Sequence, residues 1–240
     1  MMERFQVFLL LSLITSGAHS ASFTLINRCP YTVWPGILSG GGSRPTPSTG
    51  YVLGSGASTV LSIHAPWSGR FWGRTQCTNN GGRLVVCTTG DCASGQVGCN
   101  GAGAIPPATL AEFTLGGYGG KDYYDISLVD GFNLPISITP RGRPGCGVSS
   151  CSRNVNSVCP GQLSVRNGSG TVACKSACLA FHSPQYCCTG SYGQPSTCPP
   201  TNFSRVFKNA CPQAYSYAYD DKTSTFTCGT GADYTITFCP

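Results

Sequence analysis

The chain has 240 residues, a net charge of +6 and a charged fraction of only 10%. Average soluble domains are about 25% charged, and here glycine, proline and cysteine take that share, so we expect many turns. The longest apolar run lies near the start of the chain and is short. A membrane-spanning helix needs about 18 or more apolar residues, so the composition excludes a membrane-spanning protein.

Residues 1–20 predict a secretory signal peptide. A short polar start precedes an apolar run from Phe5 to Ile14, and the small residues Ala18 and Ser20 stand three and one before the expected cut. The run is too short and too soon interrupted for a membrane anchor. We therefore expect a mature chain that is soluble and secreted.

All sixteen cysteines lie after this segment, and an oxidising compartment favours disulfides over metal or redox use of cysteine. Eight bridges can form, but counting alone cannot choose among roughly two million pairings. Zinc fits poorly, because no C-x2-C pairs recur and His64 and His182 lack the usual ligand spacing. We expect no metal and no cofactor.

Strands are predicted near both ends of the mature chain. In SFTLINRC, Phe23 and Leu25 alternate with Thr24 and Ile26, and DYTITFCP at the other end shows the same period of two. Residues 38–58 are rich in Gly, Ser, Pro and Thr and predict a long loop. Residues 77–105 hold four cysteines and little apolar material, so that segment needs disulfides to fold.

Two helices are predicted within the cysteine-rich stretch from Cys146 to Cys211. In NFSRVFKNAC, Phe203, Val206 and Phe207 follow the helical spacing. A second, shorter helix is predicted near CKSACLAF and ends before Pro184.

Carboxylates are concentrated in one short region. TLAEFTL and YYDISL both alternate, so if their apolar faces join one core, Glu112 and Asp125 point away from it. The Asp130-Gly131 pair that follows predicts a β-hairpin, because the favoured two-residue turn needs positive φ. Four of the eight carboxylates that follow the signal peptide lie in residues 112–130, so this patch is acidic although the chain is basic.

Several motifs occur in an order that resembles the thaumatin-like, pathogenesis-related family of plant defence proteins over the whole mature chain. In chain order they are WGRTQC, CTTGDC, PPATLAEF, YDISLVDGFNLP, PQYCC, AYSYAYDDKTSTFTC and the final FCP, together with the sixteen cysteines. One departure is RLVVC, which stands where the family usually has glycines before Cys87. The resemblance implies an all-β protein with a flattened β-sandwich core, a disulfide-rich, partly helical second domain and a small stapled loop domain.

The resemblance also implies domain boundaries and disulfides. The sandwich would comprise residues 21–74, 106–150 and 212–240, the stapled loop domain residues 75–105, and the disulfide-rich domain residues 151–211. The implied bridges are Cys29–Cys239, Cys77–Cys87, Cys92–Cys99, Cys146–Cys228, Cys151–Cys211, Cys159–Cys174, Cys178–Cys187 and Cys188–Cys198. Each bridge contributes about 2–4 kcal/mol, so we expect resistance to heat, acid and protease.

An acidic cleft between the domains is characteristic of the family, and all five of its residue types are retained here. The matching positions are Arg70, Glu112, Asp125, Asp130 and Asp221. The favoured hypothesis is an antifungal protein whose cleft holds β-1,3-glucan, or a related fungal surface component, without cutting it.

Four alternatives stay open. The first is weak endo-β-1,3-glucanase activity, with Glu112 as general acid and Asp125 or Asp130 as its partner. The second is recognition of a cationic patch on a membrane component or protein, and the third is an ion-pair network of Arg70, Glu112 and Asp221 that ties domains together. The fourth is disturbance of fungal membranes by the basic surface, although the Lys and Arg residues are scattered.

Two sequons, at Asn167 and Asn202, predict N-glycosylation. Asn202 also starts a predicted helix, where its side chain would instead serve as an N-cap. The expected protein is a monomer in the plant apoplast, with neither a nucleic-acid partner nor a transmembrane segment.

Overall fold

The computed structural model describes residues 20–79, 85–168 and 170–240. Apart from Ser20, the predicted signal peptide lies outside the described residues, as does Ser169 of the first sequon. Across the described ranges, no helix is long and apolar enough to cross a membrane.

Strands form most of the regular structure, because the chain alternates apolar and polar residues along many short segments. They are β1 (Ser20–Asn27), β2 (Trp34–Ser39), β3 (Ser58–His64), β4 (Trp67–Asn79), β5 (Val85–Thr89), β6 (Leu110–Gly117), β7 (Lys121–Ser127), β8 (Ile136–Arg141), β9 (Ser149–Cys151), β10 (Ser164–Asn167), β11 (Gly170–Cys174), β12 (Phe226–Gly229) and β13 (Asp233–Phe238).

Two sheets make the core of the molecule. One has the order β3-β1-β13-β8-β9, and the other has the order β12-β7-β6-β4-β2 with β5 paired to β4. β10 and β11 form a separate two-stranded sheet. The predicted terminal strands β1 and β13 are neighbours, paired in parallel from Phe23 opposite Tyr234 to Asn27 opposite Phe238.

Aromatic side chains join the two sheets face to face. The Phe23 ring of β1 lies 5.1 Å from the Phe71 ring of β4 and 4.9 Å from the Phe113 ring of β6. All three residues are at most 3% exposed, and Tyr124 and Tyr234 extend the same cluster. Burial of these rings and their edge-to-face and stacked contacts stabilise the packing of the two sheets. The all-β prediction is confirmed.

Helices are short and are mostly found between residues 155 and 225. They are α1 (Ala177–Phe181), α2 (Pro184–Cys187), α3 (Asn202–Ala210) and α4 (Asp221–Ser224), with 3₁₀ turns at Tyr118–Gly120, Val155–Val158, Gly161–Leu163 and Gly190–Tyr192. The N-cap of α3 is Thr201, not Asn202, because the Thr201 hydroxyl accepts from the Ser204 N–H while Ser204 accepts in return.

Eight disulfides hold these short elements, and no cysteine of the described chain is free. They are Cys29–Cys239, Cys77–Cys87, Cys92–Cys99, Cys146–Cys228, Cys151–Cys211, Cys159–Cys174, Cys178–Cys187 and Cys188–Cys198. These are the pairs that the family resemblance implies.

The β-hairpin predicted at Asp130-Gly131 is wrong, because β7 and β8 belong to different sheets. Asp130 does lie in a turn, which runs from Leu128 to Gly131 and is closed by the Gly131 N–H donating to the Leu128 carbonyl at 2.9 Å. Neither central residue of this turn, Val129 or Asp130, has positive φ, whereas the favoured hairpin turn requires it at both. A Cβ at Gly131 would lie 2.6 Å from the Cys174 carbonyl oxygen, so glycine serves a close packing contact here.

A buried arginine connects the sandwich to the stapled loop. Arg74 of β4 is 0% exposed, and its guanidinium donates to the backbone carbonyls of Trp34, Gln96 and Val97. Burial lowers its pKa to about 10, and nearby Asp91 opposes that change. The domain boundary expected after residue 74 lies within β4, which continues from Trp67 to Asn79.

Candidate functional site

Three charged side chains lie side by side across the six-stranded sheet. Arg70 of β4 is the register partner of Glu112 of β6, and Glu112 is the partner of Asp125 of β7. Directly opposed residues of antiparallel strands point to the same face, with Cβ atoms about 4.5–5.5 Å apart. Their chain neighbours Phe71, Phe113 and Tyr124 are buried on the opposite face, as the alternation predicts.

Two further segments turn this row into a cleft of about 430 Å³. Asp130 comes from the turn after β7, and Tyr215 comes from the segment before α4. The Tyr215 segment is held against β7, because the Tyr215 N–H donates to the Ile126 carbonyl and the Leu128 N–H donates to the Tyr215 carbonyl, both at 2.8 Å. We call this site the acidic cleft: Arg70, Glu112, Asp125, Asp130 and Tyr215.

The acidic cleft continues into a second depression of about 380 Å³ along the same sheet. Arg70, Glu112 and Asp125 line both, and the second is extended by Ser68, Thr114 and Tyr123. The site is therefore an elongated groove with the charged row at its middle.

Asp221 is the one expected cleft residue that does not line the cleft. It begins α4, and its carboxylate accepts a hydrogen bond from the Tyr215 hydroxyl at 2.9 Å. Arg70 also makes no ion pair: within the described ranges, the one salt bridge joins Lys208 to Asp220 at 2.9 Å. An ion-pair network of Arg70, Glu112 and Asp221 does not form.

Sequence reasoning missed Tyr215 and Ser127, which also line the acidic cleft. Ser127 follows Asp125 by two residues on the same strand face, so the alternation contained the signal. Tyr215 gave no signal, because its pairing with β7 joins segments that are far apart in the chain.

The similarity of this chain to known proteins shows its family. A sequence model of the thaumatin family matches residues 27–240. This chain belongs to the thaumatin family. Thaumatin-like protein 1 of Pyrus pyrifolia is 63% identical over 227 residues, which cover 94% of this chain and 93% of that protein.

A second relative and one solved structure are also similar to this thaumatin-family chain. A Prunus avium protein named glucan endo-1,3-beta-glucosidase is 56% identical over 245 residues, covering 100% of both chains. The crystal structure of a β-1,3-glucanase domain from Clostridium beijerinckii covers 92% of this chain and 98% of that one, with a TM-score of 0.53 and 9% identity. That likeness shows a shared fold.

Two carboxyl groups of the acidic cleft, those of Asp125 and Glu112, have raised pKa values. Burial, with the negative charges of Glu112 and Asp221, raises the pKa of Asp125 to about 8. Burial also raises the pKa of Glu112, but the Arg70 guanidinium and the Ser127 hydroxyl oppose the rise. One oxygen of Asp125, Oδ1, is buried and receives no hydrogen bond from the protein.

These causes make the two neighbouring carboxyl groups differ in how readily they ionise. Near pH 7, Asp125 is mostly the neutral acid, whereas Arg70 favours the ionised form of Glu112. The general-acid role expected of Glu112 stays a prediction, and the raised pKa of Asp125 makes Asp125 a second candidate for that role. In the described part of the chain, no group of three or more His, Cys, Asp or Glu side chains is arranged to hold a metal ion.

Proposed function

We propose that this thaumatin-family protein is a secreted plant defence protein whose acidic cleft binds β-1,3-glucan or a related fungal surface component. The observation that carries the proposal is the row of Arg70, Glu112 and Asp125 in the middle of an elongated groove. The relative named glucan endo-1,3-beta-glucosidase supports a glucan as ligand. Eight disulfides are typical of proteins that fold in an oxidising compartment, which supports secretion to the apoplast.

A groove of this kind suits a linear polymer of neutral sugars. Hydroxyl groups both donate and accept hydrogen bonds, and the cleft offers both kinds of partner. The protonated Asp125 donates, the carboxyl oxygens of Glu112 and Asp130 accept, and Arg70 donates from the other end of the row. Both depressions are open, so a long chain can pass through without its ends having to fit.

Binding without cleavage is favoured by the placement of the two candidate catalytic carboxyls. A glycosidase needs one carboxyl to protonate the leaving oxygen while the second attacks, or activates water, across the scissile bond. Glu112 and Asp125 stand beside each other on one sheet face, where they form a floor instead of two opposing walls.

Weak endo-β-1,3-glucanase activity is the second candidate function. The observation in its favour is the pKa of Asp125, which keeps a proton available near neutral pH as a general acid requires. Glu112 or Asp130 would then act as the partner carboxylate.

One experiment separates these functions. The purified protein is incubated with insoluble β-1,3-glucan, and both retained protein and released reducing ends are measured. Asp125→Asn and Glu112→Gln test the cleft, and Asp233→Asn, at an exposed carboxylate that accepts from the Ser22 N–H, is the matched control.

We expect retention by the parent and by the control, weaker retention by both cleft variants, and no release of reducing ends. Release by the parent that is lost in Asp125→Asn would establish the glucanase function instead. If neither retention nor release occurs, glucan is the wrong ligand, and leakage of anionic vesicles would then support the membrane alternative.

A further inference from the structure

A second cavity, of about 670 Å³, lies away from the acidic cleft and shares no lining residue with it. It lies where the start of β2, the end of β4, the segment before β8 and β11 meet the 3₁₀ turn Val155–Val158. Its lining includes four amide side chains, Gln76, Asn133, Asn154 and Asn156, together with the ring of Tyr31. We call it the amide cavity.

The chemistry of the amide cavity differs from that of the cleft, because none of the described residues that line it is charged. Amides and hydroxyls predominate, since Thr32, Thr75 and Thr171 add to the four amides. An amide side chain can both donate and accept hydrogen bonds. The Asn133 amide is engaged within the protein, because its Nδ2 donates to Gly73 and Thr89 and its Oδ1 accepts from the Thr109 N–H, so Gln76, Asn154 and Asn156 are the amides left to meet a ligand. A charged ligand would find no counter-charge among these residues, whereas a ligand made of hydroxyl groups would find partners of both kinds.

One acceptor in this lining is fixed and has no protein donor. The Asn156 Nδ2 donates to the backbone carbonyls of Asn133 at 3.2 Å and Val172 at 3.1 Å, which determines which way the amide is turned. Its Oδ1 is buried and accepts no hydrogen bond from the protein. A buried acceptor of this kind is stabilised by an O–H or N–H donor that enters from outside the chain.

The conformation of the rim of the amide cavity is also fixed by the fold. Gln76 has φ 51°, a left-handed conformation that is uncommon for a residue other than glycine, although it lies within β4. Its Oε1 accepts a hydrogen bond from the Asn167 Nδ2 at 3.0 Å. This contact joins the rim to β10, so the opening is held by two different parts of the fold.

Tyr31 supplies an aromatic surface. It is 44% exposed, and its hydroxyl lies 3.8 Å from the Cys239 Sγ. An aromatic ring with a polar tip suits a ligand that has apolar C–H faces and polar edges.

We infer that the amide cavity binds a neutral saccharide of one or two rings. Its volume lies within the range of about 300–1,000 Å³ that small-molecule sites occupy. Sugar hydroxyls match the amides and threonines, the C–H face of a sugar ring matches Tyr31, and one hydroxyl satisfies Asn156. The inference does not depend on binding at the acidic cleft.

The test follows the backbone and side-chain amide signals of the ¹⁵N-labelled protein during titration with laminaribiose and, separately, N,N′-diacetylchitobiose, each to about 10 mM. Glucuronic acid is the charged probe. We expect at least one neutral disaccharide to shift the Gln76 and Asn156 signals, and glucuronic acid to leave them in place.

Two variants test whether the saccharide binds in the amide cavity. Thr32→Trp fills the cavity from an exposed position, and Tyr31→Ala removes the ring, so each should weaken binding at least about tenfold. Tyr118→Ala, at a tyrosine that is 91% exposed and does not line the cavity, is the control and should bind as the parent does. Unchanged melting temperatures show that the variants are folded.

The inference is overturned if no neutral disaccharide shifts the cavity signals, or if glucuronic acid shifts them equally. Shifts confined to residues around Glu112 and Asp125 would overturn it too, while supporting the proposed function of the cleft. Loss of binding in Tyr118→Ala together with retention in Thr32→Trp would also contradict it.

Discussion

The acidic cleft and the amide cavity are both polar recesses on one sandwich, and they differ in whether their charge can change. Asp125 and Glu112 titrate at raised pKa values because burial disfavours their ionised forms. None of the described residues that line the amide cavity is charged at neutral pH. A buried carboxyl therefore makes the stability of a site depend on pH, whereas a buried amide does not, because an amide does not titrate in this range.

The largest expected effect concerns Asp125. Its pKa rises from 3.8 to about 8 in the folded protein, so its contribution to the free energy of unfolding is complete below about pH 4 and is lost as the pH rises to about 8. Asp125→Asn replaces the carboxyl with an amide that does not titrate, so this loss of stability at higher pH disappears. At pH 8 the variant should be more stable than the parent by roughly 3–5 kcal/mol, because each pKa unit is worth about 1.4 kcal/mol, and near pH 4 the two should agree.

Guanidinium unfolding with intact disulfides, repeated from pH 4 to pH 8, measures this difference. Asp233→Asn, at an exposed carboxylate, should follow the parent throughout. Parallel curves for parent and Asp125→Asn would show that Asp125 titrates normally and that the cleft does not differ from the cavity in this respect.

The next largest effect belongs to the amide cavity. Asn156→Ala removes two hydrogen bonds and leaves the carbonyls of Asn133 and Val172 without that donor, so it should lower the free energy of unfolding by about 1–3 kcal/mol. The loss should be the same at pH 4 and pH 8, because no proton is involved.

The matched control is Asn209→Ala, at an exposed amide on α3, which should change stability by less than about 0.5 kcal/mol. A loss in Asn156→Ala that varies with pH would mean that a charged group couples to the cavity, which would remove the contrast with the cleft.

The smallest effect is expected at the wall of the cleft. The Tyr215 hydroxyl is hydrogen-bonded with Asp221 and Thr225, so Tyr215→Phe should cost about 1 kcal/mol of stability. Chemical denaturation at pH 7 measures it, with Tyr118→Phe as the exposed control. An unchanged stability would mean that solvent replaces these hydrogen bonds fully.

The sequence predicted the parts of the fold that depend on local alternation. Period two along TLAEFTL and YYDISL put Glu112 and Asp125 on the face away from the core, and the register then made them neighbours. The Asp130-Gly131 turn was recognised as a turn but assigned to a hairpin, because turn chemistry is local and does not determine which sheet the next strand joins.

The rest depended on contacts between distant segments. Tyr215 reaches the cleft through backbone pairing with β7, which no local pattern indicates. The amide cavity draws Tyr31, Gln76, Asn133 and Asn156 from separate parts of the chain, and such common residues carry no signal until the fold brings them together.

The bridge between Cys29 and Cys239 gives the chain a property that differs from thermodynamic stability. It closes a covalent ring that contains every residue between the two cysteines, and β1 and β13 pair beside it. A single peptide-bond cut anywhere in that ring opens a loop but releases no fragment. Digestion into pieces therefore requires a second cut or a reductant, so a nicked molecule keeps its full mass.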